Sequence, residues 1–315
     1  MTEKLDLIVV ALRCLSDRIT LIELRAPDGG ALPPFTAGAH LQVEVPGVGG
    51  RQYSLLNDPG EAHRYRIAVA RRDDGRGGSV GLHRVLRLGA AFTVRPPVNL
   101  FPLAQRAGPV LLLGGGIGVT PLLAMAHELA REGRDFELHC AFAPDDAPGM
   151  ADWLLRMPFA DRVHLYGAGT SAGRLDIPAL AAGADPATLV HVCGPGAMIA
   201  EAEAEFGARG IAVASEYFDA PEPEVAPSGG FEIEVSGREG TIFVAEGQTA
   251  LDALRAAGIA VESSCEAGVC GTCRTRVLSG QLDHHDYILS TEERAGGNVF
   301  LPCVSRGCGR IVIDL

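Results

Sequence analysis

Cys265-Glu-Ala-Gly-Val-Cys270-Gly-Thr-Cys273 is the stretch that most constrains the fold, and a further cysteine follows at Cys303. Cys-x4-Cys-x2-Cys with a distant fourth cysteine is the spacing of 2Fe-2S sites, in which a tight loop holds three thiolates and a returning strand supplies the last. Gly268 and Gly271 can adopt left-handed backbone angles and bring N–H groups close to the sulfur atoms. The stretch therefore predicts an iron–sulfur site held by Cys265, Cys270, Cys273 and Cys303.

Two cysteines compete for the fourth ligand position in this prediction. Cys303 ends the apolar run 299–302, and Cys308 follows it by five positions. Spacing alone allows either residue. We favour Cys303 because it ends an apolar run, and we interpret Cys308 as non-ligating.

Zinc and disulfide bonds are the alternative uses of these cysteines. Structural zinc sites usually have two matched Cys-x2-Cys knuckles, whereas here only Cys270 and Cys273 form one. The start of the chain is charged and shows no signal peptide, which disfavours disulfides. The scattered cysteines Cys14, Cys140 and Cys193 lie in apolar runs and are interpreted as core residues, although Cys193 also belongs to a motif described below.

Composition bounds the class of protein. At 315 residues and 47% hydrophobic content the chain can bury more than one core, and its length predicts two or three domains. The net charge of −12 disfavours nucleic-acid binding. Only residues 1–103 carry more basic than acidic side chains, which suits a domain that holds an anion, although a solvated basic face explains it equally well. No apolar run predicts a membrane span, and we expect a cytoplasmic protein.

The pattern of the first third of the chain predicts an antiparallel barrel. Residues 5–45 form short period-two segments broken by glycine and proline turns. Arg51-Gln-Tyr53-Ser54 follows, and then a strand runs into a glycine-rich turn over 73–79 and a helical pattern. Ser79 is a suitable helix N-cap, and the free N–H groups of such a turn can seat an anion, although most glycine-rich turns are only turns.

Residues 109–130 predict a nucleotide-binding unit. The apolar run 110–113 is typical of a parallel strand buried on both faces, and Gly114-Gly-Gly-Ile-Gly118-Val-Thr120-Pro121 turns it into a helix. Glycines in this position let a pyrophosphate approach the backbone and the helix N-terminus. Asp145-Asp146 follows the next apolar strand, where an adenosine ribose would lie. Two carboxylates without a nearby basic residue favour NADH over NADPH, although a solvated turn is an equal alternative.

The rest of the chain supplies one more motif, a linker and the module of the cysteine loop. Cys193-Gly-Pro-Gly196 ends an apolar strand, and 153–158 predicts a short amphipathic helix. Alternating proline and glutamate over 220–230 predicts an extended, solvated linker. Strand, strand, helix, cysteine loop and strand then follow over 231–315, which is the pattern of a β-grasp ferredoxin.

Taken together and in order, these motifs resemble the phthalate dioxygenase reductase and vanillate O-demethylase reductase family, which belongs to the ferredoxin reductase superfamily. The resemblance covers the whole chain and implies a multidomain protein. It predicts an FMN-binding antiparallel β-barrel domain over 1–103, an α/β Rossmann-like NAD-binding domain over 104–219, a linker over 220–230, and an α+β β-grasp domain with a plant-type 2Fe-2S cluster over 231–315.

The resemblance also implies roles for individual residues. Tyr53 would lie on the flavin face, Ser54 near flavin N5, and Arg51 at the phosphate or ribityl chain. An extra loop for an FAD adenine is not evident, which favours FMN over FAD. The glycine turn would seat the flavin phosphate, Cys193 would help to seat the nicotinamide, and an aromatic residue after the last strand would pack near the flavin. The implied cofactor contacts are Gly77, Gly78, Ser79, Gly114, Gly115, Gly116, Gly118, Thr120, Asp145, Cys193, Gly194, Pro195 and Phe218.

The implied function is electron transfer. The protein would be the NADH-dependent reductase component of a multicomponent oxygenase or O-demethylase, of the Rieske type that acts on aromatic compounds. Electrons would pass from NADH to FMN, to the 2Fe-2S cluster and to a separate terminal oxygenase, with the reductase acting as a monomer without nucleic acid or membrane. A reductase for a cytochrome P450 or a di-iron monooxygenase is one alternative. A non-redox, zinc-stabilised binding protein is another.

Overall fold

Three β-sheets organise the chain in a computed structural model that describes residues 4–73, 77–167, 173–218 and 229–315. Contacts divide the chain into two units, Met1–Phe218 and Asp219–Leu315. The predicted linker over 220–230 lies almost wholly outside the described residues. The division into domains at 1–103, 104–219 and 231–315 stays a prediction.

The first sheet is antiparallel and has six strands in the order β4-β3-β6-β1-β2-β5. Alternation of apolar and polar residues sends one face of each strand into a shared core that includes Leu7, Ile22, Leu41 and Val94. One short helix, α1, leads from β5 into β6. The elements are β1 (Leu5–Cys14), β2 (Ile19–Arg25), β3 (Ala39–Val45), β4 (Gly49–Ser54), β5 (Tyr65–Ala70), α1 (Gly78–Val85) and β6 (Ala91–Asn99).

The second sheet is parallel and has five strands in the order β11-β10-β7-β8-β9. The run Val110–Gly115 is buried because α2 packs against it, as the unbroken apolar pattern predicts. The elements are β7 (Val110–Gly115), α2 (Val119–Glu132), β8 (Phe136–Ala141), α3 (Ala147–Leu154), β9 (Val163–Tyr166), α4 (Ile177–Gly183), β10 (Leu189–Cys193), α5 (Gly196–Gly207) and β11 (Val213–Glu216), with 3-10 turns at Gly116–Gly118 and Ala160–Arg162.

The helix predicted over 153–158 was misplaced. Helix α3 begins after Asp146 and ends at Leu154, so it covers mainly the residues before the predicted segment. Pro148 lies in its first turn, where a missing N–H costs nothing and the fixed φ angle suits a helix.

The first two sheets belong to one unit and are joined by direct contacts. A Cβ on Gly149, in α3, would lie only 2.7 Å from the carbonyl carbon of Leu15, after β1. Asp146 accepts a hydrogen bond of 2.6 Å from the Ser16 hydroxyl and pairs with Arg18 at 2.6 Å. The carboxylate of Asp146, only 8% exposed as a residue, therefore ties the turn between β1 and β2 to the parallel sheet.

The second unit contains a mixed five-stranded sheet in the order β13-β12-β16-β14-β15. Strands β12 and β16 are parallel, the other pairs are antiparallel, and α6 covers a core that includes Ile233, Leu254 and Ile311. This is the predicted β-grasp arrangement. The elements are β12 (Phe231–Val235), β13 (Thr241–Val244), α6 (Ala250–Ala256), β14 (Thr275–Asp283), α7 (Thr291–Gly296), β15 (Val299–Phe300) and β16 (Arg306–Asp314). Among the described helices of the chain, none has the length and apolar character that a membrane span needs.

Candidate cofactor sites

Four cysteines of the second unit come together between α6 and β16. The sulfur atoms of Cys273 and Cys303 lie 3.3 Å apart, and both residues are 3% exposed. They belong to an apolar cluster with Leu251, Leu289 and Leu301. Cys270 is also buried, and Cys265 is half-buried at the start of the loop. The loop thus places the Cys273 thiol beside a thiol that returns from 30 residues further along the chain.

Backbone N–H groups face the sulfur atoms of the loop. The amide of Ala267 lies 3.4 Å from the Cys265 sulfur, and the amide of Cys265 lies 3.4 Å from the Cys270 sulfur. Gly268 and Gly271 have φ angles of 72° and 68°, which confirms their predicted left-handed conformations. Such N–H groups stabilise negative charge on thiolates and on the cluster that they bind.

The pKa values of the four thiols shift in pairs, as expected for closely spaced sulfur atoms that can bind a metal cation. The thiol of Cys265 hydrogen-bonds to Cys270 and holds the pKa of Cys270 at about 6, while the pKa of Cys265 is raised by the same interaction. Likewise, the hydrogen bond between Cys273 and Cys303 lowers the pKa of Cys273 and raises that of Cys303. Four adjacent thiolates would repel one another, and iron bound between them would compensate their charge. The donor set therefore fits a 2Fe-2S cluster.

Cys308 occupies a different environment from Cys303. It lies on β16 opposite Gln281 of β14 and is exposed. Cys303 is buried beside Cys273. This contrast supports the choice of Cys303 as the fourth ligand, which remains a proposal.

Asp286, a buried residue beside the cysteine loop, was not among the predicted site residues. The side chain of Asp286 is 0% exposed, and its Oδ1 accepts hydrogen bonds from the amides of Ile288 and Leu289 at 3.2 and 2.8 Å. The amide of Tyr287, the residue directly after Asp286, donates a hydrogen bond of 3.0 Å to the carbonyl of Gly268 in the cysteine loop. An aspartate two or three residues before the amides that it accepts from is the sequence signal of an Asx turn.

Replacing Asp286 by alanine is expected to loosen the cysteine loop, because two buried amides lose their acceptor at a cost of about 1–3 kcal/mol each. We expect the cluster absorption to decay faster at a fixed elevated temperature. Asp286→Asn keeps an acceptor oxygen, so its decay rate should lie between those of the wild type and Asp286→Ala. Asp283→Ala, which changes a carboxylate whose side chain is 50% exposed, is the control. Equal decay rates in Asp286→Ala and Asp283→Ala would contradict the supporting role.

The two flavin-site motifs predicted in the first unit meet in space. Arg51 and Tyr53 lie on β4, and Gly78 opens α1. A Cβ on Gly78 would lie 2.5 Å from Arg51 Nε and 2.8 Å from its Cδ, so the arginine passes directly over the first turn of the helix. A guanidinium beside the free N–H groups of a helix N-terminus suits a phosphate.

The prediction that Ser79 caps this helix was wrong. Gly77, with a φ angle of 77°, is the N-cap residue, and Ser79 lies inside the first turn. The Ser79 hydroxyl instead accepts a hydrogen bond of 2.9 Å from the amide of Arg72, which fixes the end of the preceding segment. Residues 74–76 of the turn lie outside the described residues. Glycine replaces serine as the cap because the chain enters the helix in a left-handed conformation.

Tyr53 and Ser54 sit at the end of β4 with different exposure. Ser54 is 5% exposed and pairs in register with His40 of β3, whose pKa burial lowers to about 4. Burial raises the pKa of Tyr53 to about 12, although the positive charge of Arg51 acts in the opposite direction. Both side chains are therefore neutral hydrogen-bonding groups near neutral pH. Phe218, which follows β11, is 37% exposed.

The glycine loop after β7 packs against the turn after β10. A Cβ on Gly118 would lie 2.6 Å from the carbonyl carbon of Cys193, and a Cβ on Gly115 would lie 2.5 Å from Pro195 Cδ. Gly194 in turn approaches Gly115, since its Cβ would lie 3.0 Å from the Gly115 Cα. These glycines therefore serve the contact between the two turns.

Among the predicted glycines of the loop, Gly116 alone meets open space. Its φ angle is 56°, and a Cβ there would meet no atom within 4 Å, whereas one on Gly114 would lie 3.1 Å from Val119 Cα. The Thr120 hydroxyl, 2% exposed as a residue, donates to the Ile117 carbonyl at 2.9 Å. Of the predicted loop glycines, only Gly116 thus has a backbone that another group could approach closely.

The pair Asp145-Asp146 does not act as two free carboxylates. Asp145 is exposed, but Asp146 is bound to Arg18, which lies 128 residues earlier in the chain. The premise that no basic residue is near was therefore wrong, because the fold brings Arg18 to this turn. The electrostatic preference for NADH rests on Asp145 alone.

Cys193 and an unpredicted glutamate meet at the carboxyl edge of the parallel sheet. Cys193 is 0% exposed and pairs in register with Gly114 of β7 and Glu216 of β11. Burial raises the pKa of the Cys193 thiol well above its ordinary value, so the side chain is an uncharged, apolar group. Glu216 Oε2 is buried and has no hydrogen-bond partner among the described residues, although the residue as a whole is only half-buried. No local sequence signal marks Glu216, because its burial arises from the packing of β11 beside β10.

Glu216 predicts a pH-dependent stability. Burial raises the pKa of its carboxyl from 4.5 to about 8, so its contribution to folding is complete below about pH 4.5 and is lost as the pH rises through about 8. The loss should be on the order of a few kcal/mol. Glu216→Gln should flatten the fall of the thermal unfolding midpoint between these pH values. Glu201→Gln on α5, where the side chain is 37% exposed, should keep the wild-type slope. Parallel pH profiles for wild type and Glu216→Gln would contradict this assignment.

Comparison with known proteins identifies the class. Residues 233–308 match the family described as "2Fe-2S iron-sulfur cluster binding domain". The chain is 40% identical to the vanillate O-demethylase oxidoreductase of Pseudomonas sp. (strain HR199 / DSM 7063), over 99% of this chain and 100% of that protein. The fold and the sites therefore define an electron-transfer oxidoreductase with a flavin and NADH reductase region and a 2Fe-2S domain. The chain belongs to the phthalate dioxygenase reductase and vanillate O-demethylase reductase family.

Solved structures agree with this membership. The crystal structure of phthalate dioxygenase reductase, described as modular for electron transfer from pyridine nucleotides to [2Fe-2S], has a TM-score of 0.73 and 35% identity and covers 99% of this chain and 98% of that one. An intact type IV self-sufficient cytochrome P450 monooxygenase has a TM-score of 0.88 and 36% identity over 99% of this chain. This chain spans only 41% of the length of that P450 protein.

Proposed function

We propose that this protein takes electrons from NADH and delivers them to a separate Rieske-type oxygenase or O-demethylase that acts on an aromatic compound. The observation that carries the proposal is the full-length similarity to a vanillate O-demethylase oxidoreductase, with a four-thiol site placed after a reductase unit on the same chain. We also propose that the chain works as a monomer in the cytoplasm, where the pool of NADH and reduced thiols suits this chemistry.

The residues assigned here would hold three groups. Cys265, Cys270, Cys273 and Cys303 would hold the 2Fe-2S cluster; Arg51, Tyr53, Ser54, Gly77, Gly78 and Ser79 would hold FMN; Gly114, Gly115, Gly116, Gly118, Thr120, Asp145, Cys193, Gly194, Pro195 and Phe218 would line the NADH site or its contact with the flavin. FMN, when bound, links the two-electron chemistry of NADH to the one-electron chemistry of the cluster.

The side chains contribute alignment and charge rather than proton transfer. Arg51 and the first turn of α1 would fix the flavin phosphate, and the neutral Tyr53 and Ser54 would offer hydrogen bonds without a charge. Burial raises the pKa values of Cys193 and Glu216 and so favours their uncharged forms at the carboxyl edge of the sheet, which suits a nicotinamide ring. In the second unit, the amides of Cys265 and Ala267 stabilise the added negative charge of a reduced site.

A reductase for a cytochrome P450 is the second candidate function. The specific observation in its favour is the TM-score of 0.88 to a P450 protein that contains a segment of this kind within its own chain. That fused arrangement belongs to the relative. Here the partner would be a separate protein.

Reconstitution with purified partners tests the proposal. A Rieske-type aromatic oxygenase and a P450 that needs an external reductase are each mixed with this protein, NADH and substrate, and product is measured. We expect product with the Rieske-type enzyme and a higher kcat/KM for NADH than for NADPH. Product with the P450 alone would favour the second candidate. A purified protein that is colourless and contains zinc instead of iron would overturn both.

A further inference from the structure

Three potential metal ligands share one face of the parallel sheet and have no part in the sites described above. Glu137 and His139 lie two residues apart on β8, so both side chains leave the strand on the same side. His164 of β9 is the register partner of His139. An alternating pair on one strand and the opposite residue on its neighbour form a triangle of side chains that can converge on one ion.

The ligand atoms of the three residues are close together. His139 Nε2 lies 3.1 Å from Glu137 Oε2, and His164 Nε2 lies 3.8 Å from Glu137 Oε1. One ligand atom from each residue falls within 4.8 Å of the other two. Ligands at about 2.0–2.2 Å from a zinc ion are separated by roughly 3–4 Å, so small side-chain movements would bring the three into coordination.

Tyr166 orients the buried member of the group. Its hydroxyl lies 2.9 Å from His139 Nδ1, and His139 is only 2% exposed. A metal-binding histidine usually donates its second ring N–H to such a partner, which directs the other nitrogen toward the metal. Glu137 and His164 are more accessible, with side chains 53% and 42% exposed. One fixed ligand and two accessible ones make a site that solvent ions can reach.

We propose that Glu137, His139 and His164 form a binding site for a divalent cation of the zinc type. Two imidazoles and a carboxylate are a donor set that zinc accepts, and three protein ligands leave a fourth position for water. The cation would bridge β8 to β9 and add a cross-link to the parallel sheet.

Binding requires two local adjustments that this geometry permits. The rings of His139 and His164 are stacked at 4.6 Å with an angle of 16° between them, so their nitrogen lone pairs do not yet point at one position. His164 is exposed enough to rotate. His139 would give up its contact with Glu137, bind the ion through Nε2, and donate Nδ1–H to the Tyr166 oxygen.

The test uses the complete holoprotein and Zn²⁺ alone. The protein is equilibrated with Zn²⁺, passed through a desalting column, and analysed for zinc and iron. We expect one zinc per wild-type chain beyond the two irons of a filled 2Fe-2S site, and a loss of that zinc in His164→Ala and Glu137→Gln. His63→Ala, the same change at another exposed histidine, should retain it.

Two further measurements separate this site from its alternatives. Tyr166→Phe removes only the orienting oxygen and should weaken zinc binding by about 10–100-fold. X-ray absorption at the zinc edge should show nitrogen and oxygen neighbours near 2.0–2.2 Å, without sulfur near 2.3 Å. A sulfur shell would place the zinc on exposed or vacated thiols, and equal zinc content in wild type and His164→Ala would show that these histidines are not ligands. Either result would overturn the proposal.

Discussion

Cys303→Ala is expected to abolish electron delivery through the second unit while the first unit still oxidises NADH. Cys303 lies 3.3 Å from Cys273, is buried, and follows β15 in the chain, so its loss leaves only the three thiols of the loop. A 2Fe-2S cluster needs four protein ligands. We therefore expect purified Cys303→Ala to lack cluster absorption and to reduce cytochrome c at a background rate. NADH oxidation with ferricyanide, which accepts electrons directly from reduced flavins, should persist.

Cys308→Ala is the matched control for this experiment, because it removes the other cysteine that spacing allows. Cys308 is exposed on β16, so the variant should keep its iron content and its cytochrome c reduction. The opposite outcome, with iron kept in Cys303→Ala and lost in Cys308→Ala, would mean that the assigned fourth ligand is wrong. If Cys303→Ala lost its iron but reduced cytochrome c at the wild-type rate, the route through the cluster would be wrong.

Gly118→Ala is expected to damage the proposed NADH site by separating two turns of the parallel sheet. The added methyl group would lie 2.6 Å from the Cys193 carbonyl carbon and 2.8 Å from the Gly194 nitrogen. These are backbone atoms at the ends of strands, so they cannot rotate away as a side chain could. Overpacking of this kind costs about 1–3 kcal/mol. We expect a lower thermal unfolding midpoint and a higher KM for NADH, with cluster absorption unchanged.

Gly183→Ala provides the comparison for Gly118→Ala. Gly183 ends α4, its added Cβ would meet no atom within 4 Å, and its φ angle is not in the left-handed range. This variant should be neutral or slightly stabilised, because alanine loses less backbone entropy on folding than glycine. A Gly118→Ala protein with wild-type stability and KM would show that the two turns accommodate a methyl group without moving apart.

Local sequence patterns predicted the three sheets because alternating and unbroken apolar runs are both properties of neighbouring residues in the chain. The apolar run at 110–113 is typical of a strand covered on both faces, and the cysteine spacing is typical of a loop that holds a 2Fe-2S cluster. The helix predicted over 153–158 was misplaced because α3 begins earlier, with Pro148 tolerated in its first turn. The cap of α1 was misassigned because Ser79 has a higher N-cap preference than Gly77.

Parts of the sites depend on contacts between residues that are far apart in the chain, and these could not be predicted. Arg18 meets Asp146 only when the barrel packs on the parallel sheet, and Arg51 meets Gly78 only when β4 lies beside α1. Glu216 looks unremarkable in the sequence because its burial and its raised pKa arise from the fold. The flavin and nucleotide residues remain proposals, since their roles depend on groups that bind to them.

The tie between Asp146 and Arg18 restricts how the coenzyme preference of this protein can be redesigned. A conventional route from NADH to NADPH replaces a ribose-side carboxylate with a basic residue. At Asp146 that change would place a positive charge against Arg18 and remove the acceptor of the Ser16 hydroxyl. The contact between the β1–β2 turn and the parallel sheet would be lost, and the protein would be destabilised. Asp145 is exposed, so such a change can be made there without breaking the contact of Asp146 with Ser16 and Arg18 that joins the two sheets.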